Sequence, residues 1–194
     1  MIHTGRKAYH LMGGLVLLSI FYIFGRERAM VCYGALFLFA LALDGTRLLI
    51  PTWNRFAFEH FGNYIRRNEE RKLTGTTTYI LGIGLSFYLY SPAVATAATC
   101  FLAIGDVAAT TIGERYGTRK IGDKSVEGTI AFVAAALCAG FLLSLAGIHL
   151  AFWVIVLGAV VAAGVELLPL PLNDNLVIPL VSGAIMELAL RIAG

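Results

Sequence analysis

An all-α polytopic integral membrane protein, with about seven transmembrane helices and a cytoplasmic N-terminus, is the architecture this sequence predicts. Composition is the first reason: 58% of the 194 residues are hydrophobic and only 14% are charged, whereas an ordinary soluble domain carries about 25% charged residues. Clustering is the second. Segments 8–25, 73–105 and 128–165 contain no Asp, Glu, Lys or Arg. A spanning helix takes roughly 20 apolar residues, so the last two runs are each long enough for a helical hairpin. The third reason is the distribution of basic residues. With the N-terminus in the cytoplasm, that side receives Arg6, Lys7, Arg47, Arg55, Arg66, Arg67, Arg71, Lys72, Arg115, Arg119, Lys120 and Lys124, and the other side only Arg26, Arg28 and Arg191. Such a bias is the normal topology signal.

The spans follow in order. The first two cover 8–24 and 29–50, separated by "GRER" and closed by Pro51. The third and fourth cover 75–90 and 92–112, broken at "YSP"; the fifth and sixth cover 129–146 and 150–165, split at "AGIH"; the seventh covers 176–192. Between the second and third lies "NRFAFEHFGNYIRRNEERK", residues 54–72, where Phe58, Phe61 and Ile65 recur at helical spacing beside a basic end. That pattern suits an amphipathic helix in the headgroup layer, either as a topology-setting linker or as a gate for substrate. The whole chain, 1–194, reads as one transmembrane domain. No inverted repeat is visible. The first apolar run lacks a small-residue cleavage site, so no cleaved signal peptide is expected. Cys32, Cys100 and Cys138 sit in apolar runs without metal-ligand spacing, and the four histidines are scattered, which argues against a zinc site. The net charge of +3 resides in topology signals and implies no nucleic-acid partner.

Under this topology, segments 52–74, 113–128 and 166–175 share one membrane face with the N-terminus. The polar residues of interest fall in or beside them. Asp106 lies inside the fourth span, where an acid costs about 2.5–3.5 kcal/mol on insertion scales and normally faces the bundle interior with a partner. Gly105, Ala109, Gly113 and Gly117 form a small-residue stripe, suited to close helix packing or to bringing backbone amides near an anion. The following loop, "ERYGTRKIGDKSVEG", carries Arg115, Arg119, Lys120 and Lys124 among glycines at 117, 122 and 128. Gly117-x4-Gly122-Asp-Lys124-Ser125 is one residue away from a P-loop but lacks the strand that a P-loop follows. Its parts nevertheless suit a triphosphate, whose charge must be neutralised by Lys, Arg and Mg²⁺. Ser125 also fits an N-cap, with Glu127 in the first turn of the next helix. In the 165–179 segment, Glu166 ends one span, and Asn173, Asp174 and Asn175 open the next. This is an oxygen-rich set that suits either capping or Mg²⁺. Asp44 and Arg47 are spaced for an ion pair, and Arg6, Lys7 and His10 sit where basic side chains snorkel.

"DVAATTIGERYGTRKIGDKSVEGT" is similar to the signature of the CTP-dependent lipid-alcohol kinases, which include dolichol kinase, phytol kinase and the CTP-dependent diacylglycerol kinase. The pattern Asp-x-x-Ala, Gly-x-x-x-Gly, basic residues, Lys-Ser/Thr-x-Glu-Gly is matched at Asp106, Ala109, Gly113, Gly117, Lys120, Lys124, Ser125, Glu127 and Gly128. "RKAYH", "LTGTTTYILG" and "PLNDNLVIP" also resemble family segments. The resemblance implies phosphorylation of a membrane-embedded isoprenoid or lipid alcohol with CTP as donor. On that reading Lys120, Lys124 and Arg119 meet the phosphates, and backbone at Gly113, Gly117 and Gly122 cradles them. Asp106 and Asp174, with Glu166, hold Mg²⁺, or Asp106 takes the hydroxyl proton instead. Two rivals remain open from the residues alone. A cytidylyltransferase making a CDP-lipid would share CTP, Mg²⁺ and acids. A transporter would line a path across the membrane with its polar groups, which here crowd one face. Homo-oligomerisation is left open.

Overall fold

The computed structural model describes residues 4–62, 64–65 and 69–193, with only the backbone described for Thr4 and Arg6. Among these, α1 (Thr4–Leu49) is the longest element, but it is not one rod. Gly25 has φ 76° and ψ 169°, a left-handed conformation that glycine adopts without steric penalty. The Tyr33 hydroxyl donates to the Leu17 carbonyl at 2.5 Å. Along a straight helix those residues would be about 24 Å apart. The chain therefore folds back at Gly25, and α1 is a hairpin of two antiparallel arms, 4–24 and 26–49. Phe87 seals the pair, its ring centroid 4.3 Å from that of Phe21 and 6.0 Å from that of Tyr33.

Helix α2 (Pro51–Phe61) starts with Pro51 in its first turn and buries none of its residues. It begins earlier and ends sooner than the expected 54–72 helix. Asn63, Arg66, Arg67 and Asn68 of that expectation lie outside the described residues. Helix α3 (Gly75–Leu89) runs away from this end and α4 (Pro92–Cys100) returns, with Val94 through Cys100 all buried. The expected single helix over 92–112 is interrupted. Residues Phe101–Gly105 form a π-helical turn, after which α5 (Asp106–Tyr116) continues. Gly105 sits against the Phe132 ring, where an added Cβ would come within 2.7 Å of Phe132 Cζ. The ring fills the space at the turn.

The glycine-punctuated loop contains a hairpin. Strands β1 (Lys120–Ile121) and β2 (Lys124–Ser125) pair antiparallel, with Lys120 opposite Ser125 and Ile121 opposite Lys124. Gly122 has φ +59°, and a glycine in this conformation at the first of two loop residues is what a type II′ turn needs. Helices α6 (Val126–Leu145), α7 (Phe152–Leu167) and α8 (Asp174–Ala193) complete the bundle. Small residues let them close: a Cβ on Gly158 would meet Met186 Sδ at 2.3 Å, and one on Gly140 would meet Ile155 at 2.3 Å.

Among the described residues, four helices are long and apolar enough to cross a membrane: α1, the α4–α5 rod, α6 and α8; α7 is a shorter apolar helix. The exterior agrees. Ile23, Val31, Phe39, Leu49, Phe141, Leu145, Phe152 and Ile192 are all more than 60% exposed, an apolar surface of a kind that a soluble monomer rarely shows. Among the described residues the bundle is all-α apart from the four strand residues, and the most buried of the membrane-length rods carries Asp106.

Candidate active site

Asp106 opens α5 one residue beyond the π-turn and is 6% exposed. Its Oδ2 lies 3.8 Å from His10 Nδ1 on the first arm of α1. That is an ion-pair distance when the imidazole is protonated, and longer than a hydrogen bond. The His10 ring packs edge-on to Tyr79 at 4.9 Å, and the Tyr79 hydroxyl donates to the His10 carbonyl at 2.8 Å. One turn before His10, buried Lys7 donates to Glu114 at 2.8 Å, tying the first arm of α1 to the end of α5. Glu114 is a site residue that sequence reasoning missed. The only available signal was its place on the i+4 ridge with Asp106 and Thr110. The Arg6 side chain lies outside the described residues.

Lys124, on β2, is the centre of the cluster. Its Nζ donates to Glu166 Oε1 at 2.5 Å and to Asp174 Oδ2 at 3.1 Å. The three come from a hairpin, the last turn of α7 and the first residue of α8. Burial pulls the Lys124 pKa down, but the charge of Asp174 and the hydrogen bond to Glu166 outweigh it, so the net shift is upward. Lys124 is therefore a fixed cation at neutral and moderately alkaline pH. Glu166 is 3% exposed, and its only described hydrogen bond is to this ammonium.

Two cavities meet at Lys124 and Asp123. One, of about 280 Å³, is lined by Asp106, Gly113, Glu114, Lys120, Ser125 and Glu166 as well. The other, of about 450 Å³, lies between Ile121 and Gly122 of the hairpin, the 167–174 loop, and Glu69, Lys72, Leu73 and Thr78. Lys120 reaches the Gly113 carbonyl at 3.4 Å. The Ser125 Oγ accepts from the Gly128 amide at 3.1 Å, capping α6, and both residues line the smaller cavity.

Several expected participants are engaged elsewhere. The Glu127 carboxylate accepts from the Thr118 hydroxyl and the Arg119 amide, bracing the turn before β1, and Arg119 is exposed. Neither lines these two cavities. Gly117 is a packing glycine and not an open cradle, since a Cβ there would lie 2.3 Å from the Gly113 carbonyl and 2.6 Å from Ser125 Oγ. Asn173 Oδ1 caps α8 by accepting from the Asn175 amide at 3.0 Å. Buried Asn175 donates to the Gly75 carbonyl at 2.9 Å, fixing the start of α3. Asp44 and Arg47 do pair, at 3.2 Å, but they do more. Asp44 Oδ2 accepts from the Thr74 amide and from the Thr74 and Thr77 hydroxyls, and Arg47 donates to the carbonyls of Glu69, Glu70 and Lys72. Together they clamp the strap that lines the larger cavity.

Among the described residues no three His, Cys, Asp or Glu side chains form a group able to hold an ion, so Asp106 is not gathered with Glu166 and Asp174 into one ligand shell. Glu166 and Asp174 do converge on one positive point, the Lys124 ammonium. Two carboxylates are enough for Mg²⁺ that keeps waters and binds phosphate oxygens.

Comparison with known proteins gives the relationship. Over 131 residues the chain is 33% identical to CTP-dependent diacylglycerol kinase 1 of Saccharomyces cerevisiae, covering 65% of this chain and 45% of that protein. It is 30% identical over 198 residues to the chloroplastic farnesol kinase of Arabidopsis thaliana, covering 91% of this chain and 62% of the plant protein. The chain is related to the CTP-dependent lipid-alcohol kinases. An uncharacterized protein of Rickettsia prowazekii is 28% identical over 186 residues, 90% of this chain and 88% of its own length. The chain thus spans less than half of the yeast kinase and under two thirds of the plant one. No family model matches the chain, and no solved structure does.

Proposed function

We propose that this protein transfers the γ-phosphate of CTP to the hydroxyl of a membrane-embedded lipid alcohol of the isoprenoid type, at the cytoplasmic face of its membrane. The observation that carries the reading is the meeting of Lys124, Glu166 and Asp174 beside a cavity that also receives Asp106 and Lys120. A triphosphate needs cations and a metal. A lipid hydroxyl needs a nearby base. Both must meet at one end of an apolar bundle. The kinase names of the relatives, and the excess of Lys and Arg at this end, support the same assignment.

Lys124 and Lys120 would neutralise the phosphates as charge-assisted donors. Gly113 lines the same cavity but serves packing, since a Cβ there would lie 2.9 Å from Ser125 Oγ. Glu166 and Asp174 would hold Mg²⁺, which would supply further neutralisation of the phosphate charge. Entry of the nucleotide would draw the Lys124 ammonium from the carboxylates onto phosphate oxygen. Asp106, buried beside His10, would accept the hydroxyl proton. The alcohol oxygen then bonds to the γ-phosphorus as the bond to the β-bridging oxygen breaks, and CDP leaves with that electron pair. Positioning and electrostatics carry such transfers.

Purified protein in nanodiscs, given farnesol, phytol or dioctanoylglycerol with γ-labelled CTP or ATP, tests this. The expected result is label in the lipid, with CTP preferred. Label released as pyrophosphate would identify a cytidylyltransferase instead, and no nucleotide turnover with any alcohol would refute the proposal.

A further inference from the structure

A cavity of about 750 Å³, not lined by Lys124, lies beneath α2. Its apolar wall includes Leu43 from the second arm of α1 and Trp53, Phe56, Ala57 and Phe61 from α2. Among its described lining residues, the charged ones, Asp44 and Arg47, are engaged with each other and with the 69–74 strap, and Thr77 donates to Asp44. Such a volume falls within the range of about 300–1,000 Å³ typical of small-molecule sites.

Two features of placement give the cavity a role. Leu43, Trp53 and Phe56 are 58%, 56% and 44% exposed on the same apolar exterior as Leu49 at 83%, so its wall is continuous with the surface that faces lipid. Its inner end adjoins the candidate active site. Tyr9 lines the cavity while the next residue, His10, faces Asp106 at 3.8 Å. Thr76 and Thr77 line it while the next residue, Thr78, lines the cavity that meets Lys124. Residues 9–10 of α1 and 76–78 of α3 thus connect the lining of this cavity to the candidate active site.

We infer that this cavity receives the apolar chain of the acceptor lipid, entering laterally between α2 and the second arm of α1, with the hydroxyl directed past Tyr9 and Thr76 toward Asp106. The inference rests on the lipid-kinase reading and adds to it the acceptor's site and route. It gives the exposed apolar face of α2 a use as one side of a substrate gate.

Ala57→Trp would fill the cavity without touching the nucleotide site. The expected result is a KM for farnesol raised at least tenfold, with the KM for CTP changed less than twofold. On the unmodified protein, a farnesol analogue with a terminal diazirine should label residues 40–47 or 53–61, and excess farnesol should suppress the label while excess phosphatidylcholine should not. Suppression by dioctanoylglycerol in place of farnesol would keep the site and name a diacyl acceptor. Equal suppression by phosphatidylcholine, or labelling elsewhere in a protein that does phosphorylate farnesol, would overturn the inference. A protein that turns over no alcohol yet shows farnesol-suppressed labelling would overturn the kinase reading and leave the site standing. Should Ala57→Trp fail to fold, the labelling experiment decides alone.

Discussion

Arg47→Met tests the clamp behind the larger cavity. The Arg47 side chain is 6% exposed and donates to Asp44, to Asn54 and to three backbone carbonyls, those of Glu69, Glu70 and Lys72. Methionine keeps much of the length and removes every donor. Breaking a buried pair by deleting one partner costs about 3–5 kcal/mol. The low end applies, because Asp44 keeps three donors from Thr74 and Thr77 and the exposed Glu70 and Lys72 segment can be rehydrated. A loss of about 3 kcal/mol corresponds to roughly a hundredfold in the population of opened strap. Hydrogen–deuterium exchange in detergent should therefore show the Thr74 amide exchanging about a hundredfold faster, with amides at the centre of α4 unaffected. Asp44→Asn combined with Arg47→Met should exchange more slowly than Arg47→Met alone, since no unpaired charge then remains buried. Unchanged exchange at 69–74 in Arg47→Met, or double-variant effects equal to the sum of the singles, would refute the idea that the pair acts as a clamp.

Three further outcomes are expected. Asp106→Asn, which keeps size and removes charge, should abolish incorporation of γ-label into lipid while leaving membrane insertion and detergent-purified yield normal. Lys124→Met should lower kcat/KM for CTP by about a hundredfold or more, the usual loss when a single charge-stabilising donor is removed, measured by the same labelling assay. Gly128→Ala should lower the unfolding temperature measured by thermal shift in detergent, because its Cβ would lie 2.8 Å from the Ala109 carbonyl, and overpacking costs about 1–3 kcal/mol.

The apolar rods were legible in the sequence because their limits are written in strong local chemistry. Gly25 followed by charged residues, Pro51 and Pro92 each mark a break that the chain makes. Ser125 as a cap and Asp44 with Arg47 at i, i+3 were legible for the same reason. The strands at 120–125 were not, since two-residue strands are too short to show alternation, and Gly122 alone signals only a turn. The π-turn at 101–105 was hidden because its sequence, "FLAIG", is ordinary helix, and only the fit of Gly105 against Phe132 marks the place. Lys7 with Glu114, 107 residues apart, and the carbonyl partners of Arg47 left no trace, because neither distant pairing nor a backbone acceptor has a sequence signature. The convergence of Lys124, Glu166 and Asp174 was suggested only by their sharing one membrane face. Their direct contact depends on where the hairpin folds.

The π-turn has a consequence for how the protein tolerates insertions and deletions. A regular helix advances about 100° per residue, and a π-turn accommodates an extra residue without shifting the rods on either side. Removing a single residue from 101–105 would let the α4–α5 rod become regular and, taken alone, better hydrogen-bonded. Because the turn absorbs that residue, Asp106 would keep its aim; making 101–105 regular with no residue removed would instead turn Asp106 about 100° around the rod, away from the chamber it now lines. The aim of the carboxylate is thus stored in helical pitch: a regular rod of the same length would point Asp106 elsewhere, and one shortened by a residue would not.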